Sequence, residues 1–167
     1  MSERPGAADG PPERVNFFDG QLLGPDDFRA EQDYHRRMRY LHNRLLHGWG
    51  VVEGFAVDAD DGGVLVGPGV AIDSLGRELV LPAPAHLDLP AAPDRTAWCV
   101  VATWEEIPSA PVAGGGFSRW VERCGISLRP DPPDDSGPAL LLAILLAVAG
   151  EVTGIDTSGR RILSVTP

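Results

Sequence analysis

The chain has 167 residues, 43% of them hydrophobic, with 20 glycines, 16 prolines and a formal net charge of −10. That length suffices for a buried core, and the glycine and proline content implies many turns between short elements. The acidic balance excludes a general nucleic-acid binder, which needs a basic face for phosphate. The longest apolar run, residues 139–149, falls well short of the ~20 residues of a membrane-spanning helix, so direct membrane insertion is not expected.

Residues 1–14 are rich in proline, glycine and charge and lack the order of a signal peptide, so a disordered tail is expected there. Residues 15–167 are expected to form a single α+β domain in two portions, 15–93 and 94–167. A short apolar segment, 15–18, leads into the turn pair Asp19-Gly20. Pro25 with Asp26 and Asp27 then marks a helix N-terminus: proline has no N–H to leave unpaired there, and the acids meet the positive end of the dipole.

The helix is expected over residues 25–46. Phe28, His35, Met38, Leu41 and Leu45 recur at helical steps and form one face, expected to lie against a sheet. Arg29, Arg36, Arg37 and Arg44 lie mostly off that stripe as a basic surface on an acidic molecule. Gly48 is expected to end the helix in a left-handed conformation, with His47 helping to satisfy the last carbonyls.

From Trp49 onward the pattern is strand and turn. Residues 49–57, 64–66, 70–72 and 77–81 are short β segments broken by 58–63 and 73–76, the pattern of an antiparallel meander. Residues 86–89 lie among four prolines and suit an edge strand. Residues 96–107 suit a central strand with Trp98, Val100, Ala102 and Trp104 on one side. Residues 108–116 suit a surface loop, 119–128 a strand and 129–138 a second loop.

Residues 139–148 have helical propensity, but the larger side chains at 140, 142, 144, 146 and 148 alternate as in a buried strand, and strand is preferred. A terminal hairpin is expected after Gly150, with its turn at 156–159 and its last strand at 160–165. The expected fold class is therefore α+β: one long N-terminal amphipathic helix packed on a mainly antiparallel meander or sandwich.

No residue pattern requires a cofactor, a metal or a catalytic role. His35, His42 and His47 are spaced by seven and five, whereas a helical zinc pair needs four. Asp58, Asp60 and Asp61 lack the terminal glutamate of a calcium loop. Gly114 to Gly116 precede no phosphate-binding helix, and no serine sits in a nucleophile elbow. Glu105 and Glu106 are adjacent on a strand and point to opposite faces. Cys99 and Cys124 form no metal or redox motif and read as reduced, buried thiols.

One stretch is more specific. Phe17-Phe18-Asp19-Gly20-Gln21-Leu22-Leu23, Asp26-Asp27-Phe28, Glu31-Gln32, Tyr34-His35 and Leu41-His42-Asn43-Arg44, running on to Leu46-His47-Gly48-Trp49-Gly50-Val51-Val52 with Gly54, resemble a motif of phage-tail-like contractile injection systems. A second part, Val64, Val66, Pro68, Gly69, Ala71, Asp73, Gly76, Arg77, Glu78 and Leu79, extends the resemblance through the first half of the chain. It implies a non-enzymatic structural subunit, acting in a baseplate or as a fibre or spike adaptor. Such a subunit would assemble in the cytoplasm, self-associate and bind other tail or baseplate subunits.

On that reading Arg29, Arg36, Arg37, Arg44 and Trp120 are candidate interface residues. Phe18, Phe28, Leu41 and Trp49 are candidate scaffold residues, so Phe28→Asp or Trp49→Ala is expected to harm folding and assembly together. The alternative expectation is a carbohydrate-binding module that uses exposed tryptophans among Trp49, Trp98, Trp104 and Trp120.

Overall fold

A computed structural model describes residues 11–90, 97–135 and 137–163. Most of the expected tail, residues 1–10, lies outside them. Helix α1 spans Pro25–His42 and continues as one π-helical turn, Asn43–His47. Its start follows from local chemistry: the Gly24 N–H donates to Asp27 Oδ2 at 2.8 Å, with Asp26 beside it in the first turn. Its end follows too, because the Gly48 N–H reaches the Asn43 carbonyl at 3.0 Å with φ +80°.

Ten strands follow among the described residues: β1 Gly50–Gly54, β2 Val57–Asp60, β3 Gly63–Val66, β4 Gly69–Ile72, β5 Glu78–Leu81, β6 Ala85–Asp88, β7 Ala97–Pro111, β8 Phe117–Arg129, β9 Leu140–Val148 and β10 Glu151–Asp156. They form three antiparallel sheets, ordered β1-β4-β5, β2-β3-β6 and β10-β9-β7-β8. The architecture is α+β, one N-terminal helix with mostly antiparallel sheet.

Among the first six strands, β2–β3 and β4–β5 pair as hairpins, but β1 pairs with β4 and β3 with β6. The chain leaves β1 through Gly54 (φ +70°) and Phe55 (φ +55°), which turn it into the second sheet. It returns through residues 67–69. Phe55 N–H donates to the Pro68 carbonyl at 2.9 Å, and Gly67 N–H to the Ala56 carbonyl at 2.8 Å. A Cβ on Gly54 would lie 2.1 Å from the Pro68 oxygen, so the crossing tolerates no side chain there.

Phe55 is fully buried where the sheets meet. Around it gather Val51, Ala71, Leu79 and Leu81 from the first sheet, Val57, Val64 and Val66 from the second, and Val100, Ala102, Cys124, Leu140, Leu142 and Leu145 from the third. Removing most of one such side chain costs about 2–5 kcal/mol.

β9 is a strand, but its inward face changes partway. Leu140 and Leu142 are buried, then Ala143, Leu145 and Ala147, while Leu146 and Val148 are exposed. The cause is a bulge: Val101 faces Leu141 and the adjacent Val100 faces Ala143, so Leu142 is the extra residue. One inserted residue flips every later side chain to the other face. The expectation that 144, 146 and 148 point inward is corrected accordingly.

Two further boundaries differ. β7 runs through Pro108 to Pro111, so the expected loop at 108–116 shrinks to 112–116. The last hairpin turns at Ala149-Gly150, both with positive φ, and joins β9 to β10. Residues 160–163 then lie parallel to β1: Val51 N–H donates to the Arg161 carbonyl and Leu163 N–H to the Val51 carbonyl, both at 2.8 Å. Residues 164 and 165 of the expected last strand lie outside the described residues.

Candidate docking interface

The helix meets the sheets at its C-terminal end. Asn43, buried, donates from Nδ2 to the Gly76 carbonyl at 2.9 Å and to Glu78 Oε1 at 2.8 Å. Arg39 Nε lies 3.1 Å from the same Glu78 carboxylate, and Arg36 Nη1 lies 3.3 Å from Glu106 Oε1. Gly76 has φ +88°, and a Cβ there would lie 2.1 Å from the Tyr40 carbonyl oxygen. The β4–β5 turn is thus the socket for the helix end.

That turn is organised by a buried charge. Asp73 has no exposed surface; its Oδ1 accepts the N–H groups of Leu75 and Arg77, each at 2.9 Å, and its Oδ2 accepts Arg77 Nε at 2.6 Å. The Arg77 guanidinium lies over the Trp104 ring, 4.6 Å from its centroid. In the sequence 73–76 reads as a turn, and neither the Asp73–Arg77 pair nor the Asn43 contacts are expected from it. The available signal is an aspartate four residues before an arginine with a glycine between, the pattern of an Asx turn whose cation returns to the carboxylate.

The rest of the helix carries no buried residue. Phe28 is 57% exposed, Phe18 64% and Leu22 94%, and Leu45 and Leu46 are exposed as well. The expectation that Phe28 and Leu45 lie against a sheet is corrected by their exposure. The C-terminal half of the helix is held by the polar contacts of Arg36, Arg39 and Asn43, beside half-buried Met38, Tyr40 and Leu41. Leu41 is half-buried, and Trp49 packs against the core with the Arg161 guanidinium 4.2 Å from its ring centroid.

The arginines divide. Arg36 is held by Glu106, and Arg29 by Asp26 at 2.6 Å, a helical pair open to solvent. Arg37 and Arg44 are exposed and form no ion pair among the described residues. His35 Nε2 lies 2.9 Å from Glu31 Oε1. His47 contacts His42 rather than a helix-end carbonyl.

The second protrusion is the β7–β8 ribbon. β9 pairs with β7 only as far as Ala102, and beyond that β7 has a free edge. Pro108 and Pro111 suit such an edge, since they have no N–H to offer another strand. Every residue from Ala110 to Arg123 is exposed. Seven residues of β8, 117–123, lie in that exposed span, roughly 23 Å at strand rise. The tip turns through Gly114, Gly115 and Gly116, all at positive φ.

In the ribbon Pro108 faces Trp120, Glu106 faces Glu122, and Trp104 faces Cys124. Trp120 thus extends the row of core-facing positions past the end of the core. It is 64% exposed, and Phe117, Val121 and Val112 nearby are exposed too. Of the four tryptophans, Trp49, Trp98 and Trp104 pack against the core. Trp120 stands apart from those three rings, on the exposed ribbon. At the ribbon base Cys124 is buried; burial, then the Glu105 charge, pushes its thiol from 9.0 up to about 11.

Among the described residues no group of three or more His, Cys, Asp or Glu converges as a metal cluster, and no helix is long and apolar enough to cross a membrane. No family model matches the chain, and no curated protein matches it. Solved structures share its fold, among them the following three. One is a chain of the type VI secretion system TssK-TssF-TssG baseplate subcomplex, with TM-score 0.54 and 18% identity over 86% of this chain and 60% of that one. The second is a crystal structure of TssK, with TM-score 0.55 and 16% identity over 87% of this chain and 41% of that one. The third is a chain of the type VI baseplate complex, with TM-score 0.51 and 20% identity over 86% of this chain and 57% of that one. The chain spans about half the length of these structures, and at such identities the likeness is one of fold.

Proposed function

We propose that this chain is a non-enzymatic structural subunit of the baseplate of a contractile, phage-tail-like injection machine. It assembles in the cytoplasm and acts as an adaptor that self-associates and docks on neighbouring baseplate subunits. The observation that supports this most is the fold shared with type VI baseplate structures over 86–87% of the chain. Two protrusions give the role a physical basis. The helix approach and first turns expose Phe17, Phe18, Leu22 and Phe28, and the ribbon exposes Phe117, Trp120 and Val121. Large exposed apolar side chains, with Phe28 on the helix and Phe117, Trp120 and Val121 on β8 among them, suit a protein partner. Arg37 and Arg44 add a charge that selects and orients an acidic contact.

The role needs no cofactor and no nucleic acid. It is tested by expressing the tagged chain beside the baseplate genes of its own cluster and recovering it under native conditions. Co-purification of baseplate subunits, lost on Phe28→Asp or Trp120→Ala, is the expected result. A monomer that recovers none of them contradicts the proposal.

A further inference from the structure

The histidines that the spacing argument set aside are brought together by the way the helix ends. Five residues along a regular α-helix turn the chain by about 500°, which places residues i and i+5 about 140° apart. Over Asn43–His47 the helix is π, and the wider turn stacks residues five apart on one face. His42 and His47 are such a pair. Their Nε2 atoms lie 3.1 Å apart, with ring centroids at 5.0 Å and planes inclined by 59°.

The turn is anchored from below. Asn43 bonds the Gly76 carbonyl and Glu78, and the Gly48 N–H closes on the Asn43 carbonyl. The two imidazoles are therefore presented outward, exposed, on backbone fixed to the β4–β5 turn. Their geometry suits a chelate. Zinc-class ions sit about 2.0–2.1 Å from imidazole nitrogen, so nitrogens 3.1 Å apart subtend about 98° at the ion. Rings converging on that ion would have centroids about 4.8 Å apart, and rings meeting head-on in a hydrogen bond about 5.4 Å. The observed 5.0 Å lies nearer the chelate.

We propose that His42 and His47 form a two-histidine chelate for a divalent late-transition-metal ion of the copper, nickel or zinc class. Imidazole suits these ions over calcium or magnesium, which take oxygen. Among the described residues no third His, Cys, Asp or Glu joins the two rings, and both rings are exposed, so the remaining coordination positions are left to solvent. Arg44, in the same turn, adds positive charge and works against the affinity. The inference does not depend on the baseplate reading, since it concerns the single chain.

The test uses the full chain with copper(II) alone as the probe, read by calorimetry and by electron paramagnetic resonance at neutral pH. One equivalent is expected to bind, with two imidazole nitrogens in the spectrum. His42→Gln and His47→Gln should each weaken binding about tenfold or more, while His35→Gln and His86→Gln leave it unchanged. Circular dichroism of each variant establishes that it is folded. The nitrogen count is read on the unaltered chain, so it holds whatever the variants do. A one-nitrogen spectrum, or binding indifferent to both His42 and His47, overturns the proposal and leaves the pair as a hydrogen bond between neutral rings.

Discussion

Arg77 closes on Asp73 across the β4–β5 turn, Nε to Oδ2 at 2.6 Å, and the carboxylate it neutralises has no exposed surface. A buried pair of this kind is weak evidence of net stability, but breaking it leaves an uncompensated buried charge and costs about 3–5 kcal/mol. Asp73→Ala is therefore expected to lower the unfolding free energy in urea by about that amount, since it strands the Arg77 guanidinium and frees two turn N–H groups. Asp58→Asn, at an exposed strand position, should stay within about 0.5 kcal/mol of the parent. Equal effects from the two would show that Asp73 does not organise the turn.

Gly76 tests whether that turn is the helix socket. Gly76→Ala places a Cβ against the Tyr40 carbonyl at a φ of +88°. Left-handed backbone alone costs a non-glycine residue roughly 1–2 kcal/mol, and the clash adds to it. Amide hydrogen exchange should show the end of α1 opening more than the β7–β9 core. Gly114→Ala, at φ +92° with nothing within 4 Å, bears only the backbone term and should leave α1 protected. Unchanged exchange at residues 36–47 in Gly76→Ala would contradict the socket.

Cys124 gives a signed pH dependence. Its folded thiol titrates near 11 instead of 9.0 because burial, then Glu105, disfavours the thiolate. Below pH 9.0 the thiol is neutral in both states and the fold bears no penalty. As pH rises from 9.0 toward 11 the unfolded chain loses the proton first, so stability falls across that window. At pH 8, where Cys99 is also buried, both thiols should resist a thiol-specific reagent until denaturant is added. Rapid native labelling of Cys124 would contradict this.

The two protrusions predict variants that separate folding from docking. Phe28→Asp and Trp120→Ala alter side chains that the single chain leaves 57% and 64% exposed. Each should leave the melting temperature within about 2 °C of the parent. Trp49→Ala, which removes a ring packed on the core and under Arg161, should lower it by several degrees.

Much of the fold was legible because it depends on local rules. Pro25-Asp26-Asp27 starts the helix where the dipole argument puts it, Gly48 stops it, and residues 139–148 read as strand despite their helical propensity. The β9 bulge was not legible, because an inserted residue leaves the composition unchanged and shows itself only in the partner's register. Nor was the exposure of Phe28, because periodicity shows that a helix has an apolar face but not what covers it. The candidate surface was half legible. Trp120 was singled out beside its glycine loop, but the ribbon was hidden by prolines that read as loop until β7 is seen to have a free edge. Arg36 was read as surface, and its carboxylate lies seventy residues away in sequence. The His42–His47 contact was missed because a five-residue spacing has meaning only on a π turn.

The helix approach and the β7–β8 ribbon are the proposed docking surfaces of this chain in a baseplate. The most direct measurement is recovery of baseplate subunits on the tagged chain, compared for the parent, Phe28→Asp, Trp120→Ala and the double variant at matched folded concentration. The account predicts strong recovery on the parent, loss in each single variant and near-complete loss in the double variant, with unchanged melting temperatures. Parental recovery by the folded double variant would contradict it.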